Sequence, residues 1–300
     1  MNRELAKASV LKTGPGTSIQ DLGRQGMANF GVPISGAMDQ RALLWINHLL
    51  QNDENAAVLE ISQPGFSIRF DTPTSIALAG ALVDVKLNGV QIQNPAIIPI
   101  HLHGVLEIGA FKSGARLYLG IKHGFQSSVI LGSRSFYQGL TSLSQLSKED
   151  KIPYFVDSNP IHQHNAKAKW SSDWYRTETI LAYPGPDFSL LDTESREKLI
   201  GEPYRISTFS NRMGLQLSEL LENELPELPT NPVFPGMVQL TSGGKLVILL
   251  KDAQVTGGYP RVLYLDEKSQ GIVAQKKPGE QLRFSLISSK AAKNDRDSIR

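Results

Sequence analysis

Cysteine is absent from the 300 residues. Disulfides, thiolate nucleophiles and cysteine-ligated metal centres are therefore excluded, and a reducing compartment is compatible with the chain. An excess of one charge is lacking too. Thirty-one basic residues against 29 acidic ones leave a net charge of +2, which calls for neither nucleic acid nor a membrane surface as partner. No apolar run approaches the roughly 20 residues of a spanning helix, and Met1 to Lys12 lacks the apolar centre of a signal peptide. A globular protein of the cytoplasm is the expectation. Familiar catalytic signatures are missing as well: there is no G-x-x-x-x-G-K-[ST], no H-E-x-x-H, no G-x-S-x-G and no G-x-G-x-x-G. His101-x-His103 and His162-x-His164 have no carboxylate at metal-ligand spacing, so no metal site is expected at either pair.

What is present is enough apolar residue, 40%, for a sizeable core, and a length that allows one large or two medium domains. Most of the chain reads as strands. Val83, Val85 and Leu87 alternate with polar residues up to Asn88-Gly89, after which Val90 and Ile92 alternate with Gln91 and Gln93. Asn-Gly accepts the positive φ of a type I′ turn, so this is a hairpin. Gly243-Gly244 predicts a second hairpin and Pro278-Gly279 a turn before Gln281–Ile287. Leu117, Leu119 and Ile121 fit a half-buried strand. Met38, Ala42, Trp45, Ile46, Leu49 and Leu50 form an amphipathic helical stripe, with Ser35 or Gly36 as its cap and Asp39 in its first turn. A second helix is expected over Phe188–Leu199. The stretch 148–173 loses periodicity and reads as a connecting segment. The fold expected is mainly β, with a few short helices: an N-terminal domain at 1–147, a C-terminal one at 174–288 and a solvated tail at 289–300.

Two blocks carry charged, amide and hydroxyl groups between glycines and prolines: Gln20–Arg24 running on to Gly31–Asp39, and Asp252–Pro260. Such stretches expose backbone N–H groups and side chains together, which suits a small polar, anionic substrate. Together with Leu59-Glu60-Ile61, Leu131–Ser135, Pro184-Gly185-Pro186, Ser210–Gly214 and Pro235–Gln239, and in this order, they resemble the family of the 5-oxoprolinase C-subunit. That family is also labelled allophanate hydrolase subunit 2, or biotin-dependent carboxyltransferase, and includes the carboxyltransferase region of urea carboxylase and the antagonist of a sporulation-kinase inhibitor. Asn211, Lys251 and Val255, and the turn Thr241–Gly244, depart from the family pattern. The resemblance implies two tandem cyclophilin-like β-barrel domains, with the 5-oxoprolinase B-subunit for direct partner and the A-subunit in the same complex. It also implies an ATP-dependent opening of 5-oxoproline to glutamate, with ATP and Mg²⁺ used in the complex. Carboxyl transfer from carboxybiotin to a urea-like acceptor is the alternative, and the only one that would use biotin. A non-enzymatic antagonist of a kinase inhibitor is another.

A lactam resists water because resonance weakens its carbonyl as an electrophile, and phosphorylating the carbonyl oxygen would create a leaving group. A protein doing this must hold phosphates and a carboxylate and stabilise developing charge. Within the matched blocks, Asp252, Arg212 and Asp21 are the candidate catalytic residues. Gln20, Arg24, Arg134, Gln239, Gln254, Gly257, Gly258 and Tyr259 are the candidates for binding substrate. Each has a plain structural alternative: the arginines bridging loops, Asp21 holding a turn, Asp39 complementing a helix N-terminus, the glutamines satisfying loop backbone, and the glycines forming a tight turn. Glu60 either orients an arginine or caps a strand end. The two blocks are expected to face one cleft.

Overall fold

The computed structural model describes residues 4–92, 96–141, 145–157, 170–226 and 228–287. His162, His164 and the tail at 289–300 lie outside the described residues. The chain divides into two compact units, Met1–Met27 with Ile34–Tyr175, and Ala28–Pro33 with Arg176–Arg300.

The first unit contains β1 (Leu5–Lys12), β2 (Ser18–Gln20), α1 (Gln40–Leu49), β3 (Val58–Ile61), β4 (Phe66–Phe70), β5 (Thr74–Leu87), β6 (Val90–Gln91), β7 (Ile98–Ile100), β8 (Val105–Ile121) and β9 (Lys151–Phe155). They make one curled sheet whose main path runs β2-β3-β8-β4-β1-β9, with β5 also paired to β8. The 17-residue β8 is its spine: β4 pairs with its first residues, β3 with its last, and β5 along its length through three register shifts. The bulges bend this long pair so that one face can wrap a core. Asn88 and Gly89 adopt φ 51° and 79° in the predicted hairpin, with Leu87 opposite Val90. The first eight residues of β5 are buried on both faces. One face meets the sheet's interior, and α1 covers the other through Ala42, Leu43 and Ile46, with Leu50 just past its end. A Cβ at Gly120 would lie 2.0 Å from the Ile46 side chain, so glycine there lets the helix sit directly on β8.

The second unit contains β10 (Thr179–Pro184), α2 (Thr193–Gly201), β11 (Tyr204–Ser210), β12 (Gly214–Leu220), β13 (Asn231–Pro232), β14 (Met237–Leu240), β15 (Lys245–Leu249), β16 (Thr256–Gly257), β17 (Arg261–Leu265), α3 (Glu267–Ala274) and β18 (Gln281–Leu286). Seven of these strands close into a barrel in the order β10-β17-β14-β15-β12-β11-β18. The period of two shows in the buried pairs Tyr204/Ile206, Leu215/Leu217, Leu246/Ile248 and Leu282/Phe284. β13 and β16 form a separate two-stranded ribbon.

The mainly-β expectation is what the structure has, as one closed barrel and one curled sheet. Several local readings change. The first helix starts after Asp39, which is itself the cap and accepts from the Ala42 N–H. Ser35 and Gly36 lie upstream with φ of 57° and 86°. The expected second helix is split into a 3-10 turn at Phe188–Leu190 and α2, because Asp192 offers its carboxylate to the Ser195 N–H and starts a fresh helix. Within the segment read as connecting, Lys151–Phe155 is a strand paired with β1. His101 and His103 sit in a turn after β7. Among the described residues no group of three or more His, Asp or Glu is placed to hold a metal ion.

Candidate functional site

In the first unit, Gln20–Arg24 and Ile34–Ala37 are zipped together. Arg24 N–H donates to the Ile34 carbonyl at 2.6 Å and Ala37 N–H to the Asp21 carbonyl at 2.9 Å. Two glycines permit the approach. A Cβ at Gly23 would lie 2.5 Å from Ile34 O, and one at Gly36 would lie 2.9 Å from Gly23 N. Both have positive φ, 90° and 86°, so a side chain would be strained at either position.

The Asp21 carboxylate is the hub of this arrangement. Its Oδ1 accepts from Gly23 N–H at 2.8 Å and from the Ser133 and Ser135 hydroxyls, each at 2.6 Å. Its Oδ2 accepts from Arg134 N–H at 2.6 Å. A carboxylate so engaged holds a loop; its lone pairs are turned to protein donors rather than to a proton on a substrate. Arg24, fully buried, donates from Nη2 to the Ser135 carbonyl. Arg134 points the other way, donating to the Ser127 carbonyl and, at 3.0 Å, to Gln126 Oε1. Gln20 donates to Ser18 Oγ at 2.9 Å, while its Oε1 is buried and accepts nothing among the described residues. The Ser35 hydroxyl is in the same state, on a backbone that is strained for a residue with a Cβ.

Behind this loop lies a buried polar chain. Glu60 Oε2 accepts from Met38 N–H at 2.9 Å and from the Tyr118 hydroxyl at 2.8 Å. Arg116 Nε approaches its other oxygen at 3.7 Å. Tyr118 in turn accepts from Asp39 N–H at 2.8 Å, and the Tyr175 hydroxyl donates to Asp39 Oδ2 at 2.5 Å. Burial first, then the charges of Glu60 and Asp39, push the Tyr118 phenol well above its ordinary range, so it stays protonated and donates. Of the two readings of Glu60, orienting an arginine is the one its geometry fits.

In the second unit, Arg212 and Asp252 form a two-pronged pair, with Nε to Oδ2 at 2.8 Å and Nη2 to Oδ1 at 3.2 Å. Asn211 accepts from the N–H groups of Met213 and Gly214 through one side-chain oxygen, which turns the chain so that Arg212 faces Asp252. Burial pushes the neighbouring Lys251 ammonium below its usual range, with Glu267 opposing and Arg212 adding to the shift. Gln239 is buried; it donates to the Tyr259 carbonyl and accepts from Gln254, both at 3.5 Å. A Cβ at Gly257 would lie 2.7 Å from Gln239 Nε2, so Gly257 allows the amide to pass. The Gly258 carbonyl accepts from Leu228 N–H at 2.9 Å, and a Cβ at Gly258 would lie 3.0 Å from Leu228 O. Tyr259 is exposed. A second pair escaped sequence reasoning: Asp187 Oδ2 accepts from Arg261 N–H at 2.9 Å and Nε at 2.8 Å. Burial would raise the Asp187 carboxyl, but these bonds and the Arg261 charge outweigh it and hold it below the usual range.

The structure thus gathers Gln20, Asp21, Arg24 and Arg134 in the first unit. It gathers Arg212 with Asp252, and Gln239 with Gln254, Gly257 and Tyr259, in the second. Ser133, Ser135, Tyr118 and Tyr175 were missed by sequence reasoning; only the Ser-x-Ser spacing around Arg134 hinted at two of them.

A model of the carboxyltransferase domain, subdomain A and B, matches residues 30–286. The chain belongs to this carboxyltransferase-domain family. It is 30% identical over 281 residues to the 5-oxoprolinase C-subunit of Escherichia coli (strain K12), across 92% of this chain and 89% of that protein. It is 28% identical to urea amidolyase of Saccharomyces cerevisiae across 95% of this chain but 17% of that protein. Among solved structures, the K. lactis urea amidolyase superposes with a TM-score of 0.83 at 25% identity, covering 99% of this chain and 20% of that one. The chain therefore spans about a fifth of the urea amidolyases it matches. No helix among the described residues is long and apolar enough to cross a membrane.

Proposed function

We propose that this carboxyltransferase-domain protein is the C-subunit of an ATP-dependent 5-oxoprolinase, opening 5-oxo-L-proline to L-glutamate together with the A- and B-subunits. The observation that carries the reading is the match to the E. coli 5-oxoprolinase C-subunit, which spans nearly the whole of that relative. The geometry is compatible with the chemistry. Arg212, fixed by Asp252, presents a guanidinium suited to a carboxylate or to charge developing on an oxygen. The Gln239 and Gln254 amides can donate and accept at once, as a lactam edge requires, and Gly257 gives the Gln239 amide room beside the backbone. Gln20 Oε1 offers an acceptor in the first unit. Asp21, with Arg24 and Arg134, positions the loop that carries it. ATP and Mg²⁺ belong to the assembled complex in this reading, and no step is assigned to a metal on this chain.

The test is reconstitution. The purified chain, combined with the A- and B-subunits, should consume ATP only when 5-oxoproline is present and release glutamate in step. A well-folded complex with no 5-oxoproline-dependent turnover would overturn the proposal.

A second reading is carboxyl transfer from carboxybiotin to a urea-like acceptor, favoured by the family model and the urea amidolyase matches. It requires a separate biotin carrier. Accelerated loss of carboxylate from carboxybiotin on adding urea or a small amide, without ATP, would select it over the first.

A further inference from the structure

A cavity of about 490 Å³ opens in the second unit, away from Arg212, Asp252 and the Gln239 cluster. Its lining comes from the segment entering β10 (Arg176, Glu178), the start of β11 (Arg205) and the passage from α3 into β18 (Lys276, Glu280, Gln281). That volume suits a small organic molecule.

Lys276 is the informative residue. It is 6% exposed, and its backbone is fixed by donation to the Val273 carbonyl at 3.1 Å. Among the described residues its ammonium makes no hydrogen bond and no ion pair. Lysine is almost never so buried without a partner. Burial pushes its pKa below the usual range, while Glu280 and then Glu178 pull it back. Neither carboxylate comes within ion-pair distance of it. Glu280 is held by Lys277 N–H at 2.8 Å, and Arg205 already leans on Glu219 at 3.5 Å. The lining holds Arg176, Arg205 and Lys276 beside Glu178 and Glu280; Arg205 is neutralised by Glu219 from outside the lining, which leaves the Lys276 ammonium as the charge to be matched.

We propose that this cavity binds a small monocarboxylate carrying a hydroxyl group. The carboxylate sits on the Lys276 ammonium and supplies the partner its burial demands. The hydroxyl donates to Glu178, Glu280 or the Gln281 carbonyl oxygen. One negative charge matches the single Lys276 ammonium, whereas a phosphate dianion would leave a surplus negative charge beside Glu178 and Glu280. The site is separate from the residues assigned to 5-oxoproline, and its test needs no turnover.

The full-length chain, with lysine side chains ¹⁵N-labelled, is titrated with sodium L-lactate, sodium phosphate and sodium chloride at constant ionic strength. Saturable lactate binding, with the Lys276 ¹⁵Nζ signal shifting and its apparent pKa rising, is expected. Phosphate and chloride should bind at least tenfold more weakly. Lys276→Met should weaken lactate at least tenfold, and Arg176→Gln severalfold, the second variant serving if the first does not fold. Lactate that does not saturate, that leaves the Lys276 signal in place, that is matched by chloride, or that binds the folded variants unchanged would each overturn the proposal.

Discussion

Arg212 and Asp252, 40 residues apart in sequence, are clasped three times: by the two side-chain contacts at 2.8 and 3.2 Å and by donation from Asp252 N–H to the Arg212 carbonyl at 2.9 Å. Both side chains are mostly buried, 15% and 10% exposed. Removing one partner leaves the other's charge in a poorly hydrated place. Asp252→Ala should therefore lower stability by about 3 kcal/mol, read as a shift in urea midpoint at constant m-value. Arg212→Lys keeps the charge but loses the fork, and should cost less. If Arg212 stabilises developing charge, both variants should lower 5-oxoproline-dependent turnover of the complex by about 100-fold or more, Arg212→Lys out of proportion to its stability loss. Full activity in Arg212→Lys would assign the pair to structure alone.

Gly23 and Gly26 make a controlled comparison. Both have positive φ, 90° and 74°, but a Cβ at Gly23 meets Ile34 O at 2.5 Å while one at Gly26 meets nothing within 4 Å. Gly26→Ala should cost about 1 kcal/mol, the backbone penalty alone. Gly23→Ala adds a clash with backbone that cannot swing away and should cost about 3 kcal/mol or more. Equal midpoint shifts in urea would mean that the loop relaxes freely at Gly23.

How much of this was legible follows from how local each cause is. The turn at Asn88-Gly89 is decided by two adjacent residues, and the stripe of α1 by spacing along one segment, so both could be read from sequence. The cap could not. Asp39 takes that place with its N–H bound to Tyr118 and its carboxylate to Tyr175, 79 and 136 residues away. Asp21 shows the same limit, since the serines that occupy its carboxylate lie 112 and 114 residues along the chain. Sequence marked the block as polar and glycine-rich, but only the fold reveals that its carboxylate is already engaged. Gly120 gave no sign of its importance, which depends on Ile46 arriving from the helix.

Glu60 ties three parts of the first unit together, through Met38 N–H, the Tyr118 hydroxyl and Arg116. Glu60→Gln keeps the shape but exchanges one acceptor oxygen for a donor and removes the charge facing Arg116. A loss of about 2–4 kcal/mol is expected. Tyr118→Phe should cost about 1–2 kcal/mol. Because the two share one hydrogen bond, the double variant should be less destabilised than the sum by more than about 0.5 kcal/mol. Strict additivity in a double-mutant cycle would show that the chain is not a cooperative unit.

Tyr204 sets an alkaline limit on the second unit. Its phenol is pushed up to about 12, chiefly by burial and then by the charges of Glu202 and Glu219, and it donates to the Lys198 carbonyl at 3.2 Å. In the unfolded chain the same group titrates near about 10. Below that pH both states hold the proton and the native arrangement is intact. Between about 10 and 12 the unfolded chain releases its proton while the native one keeps it, so stability falls as pH rises. Tyr204→Phe should lose about 1 kcal/mol at neutral pH from the missing hydrogen bond, yet show a flatter decline across that alkaline window. Urea midpoints measured from neutral pH up to about 11 would reveal the two curves converging. Parallel curves would mean that other groups, Tyr118 among them, govern the alkaline loss.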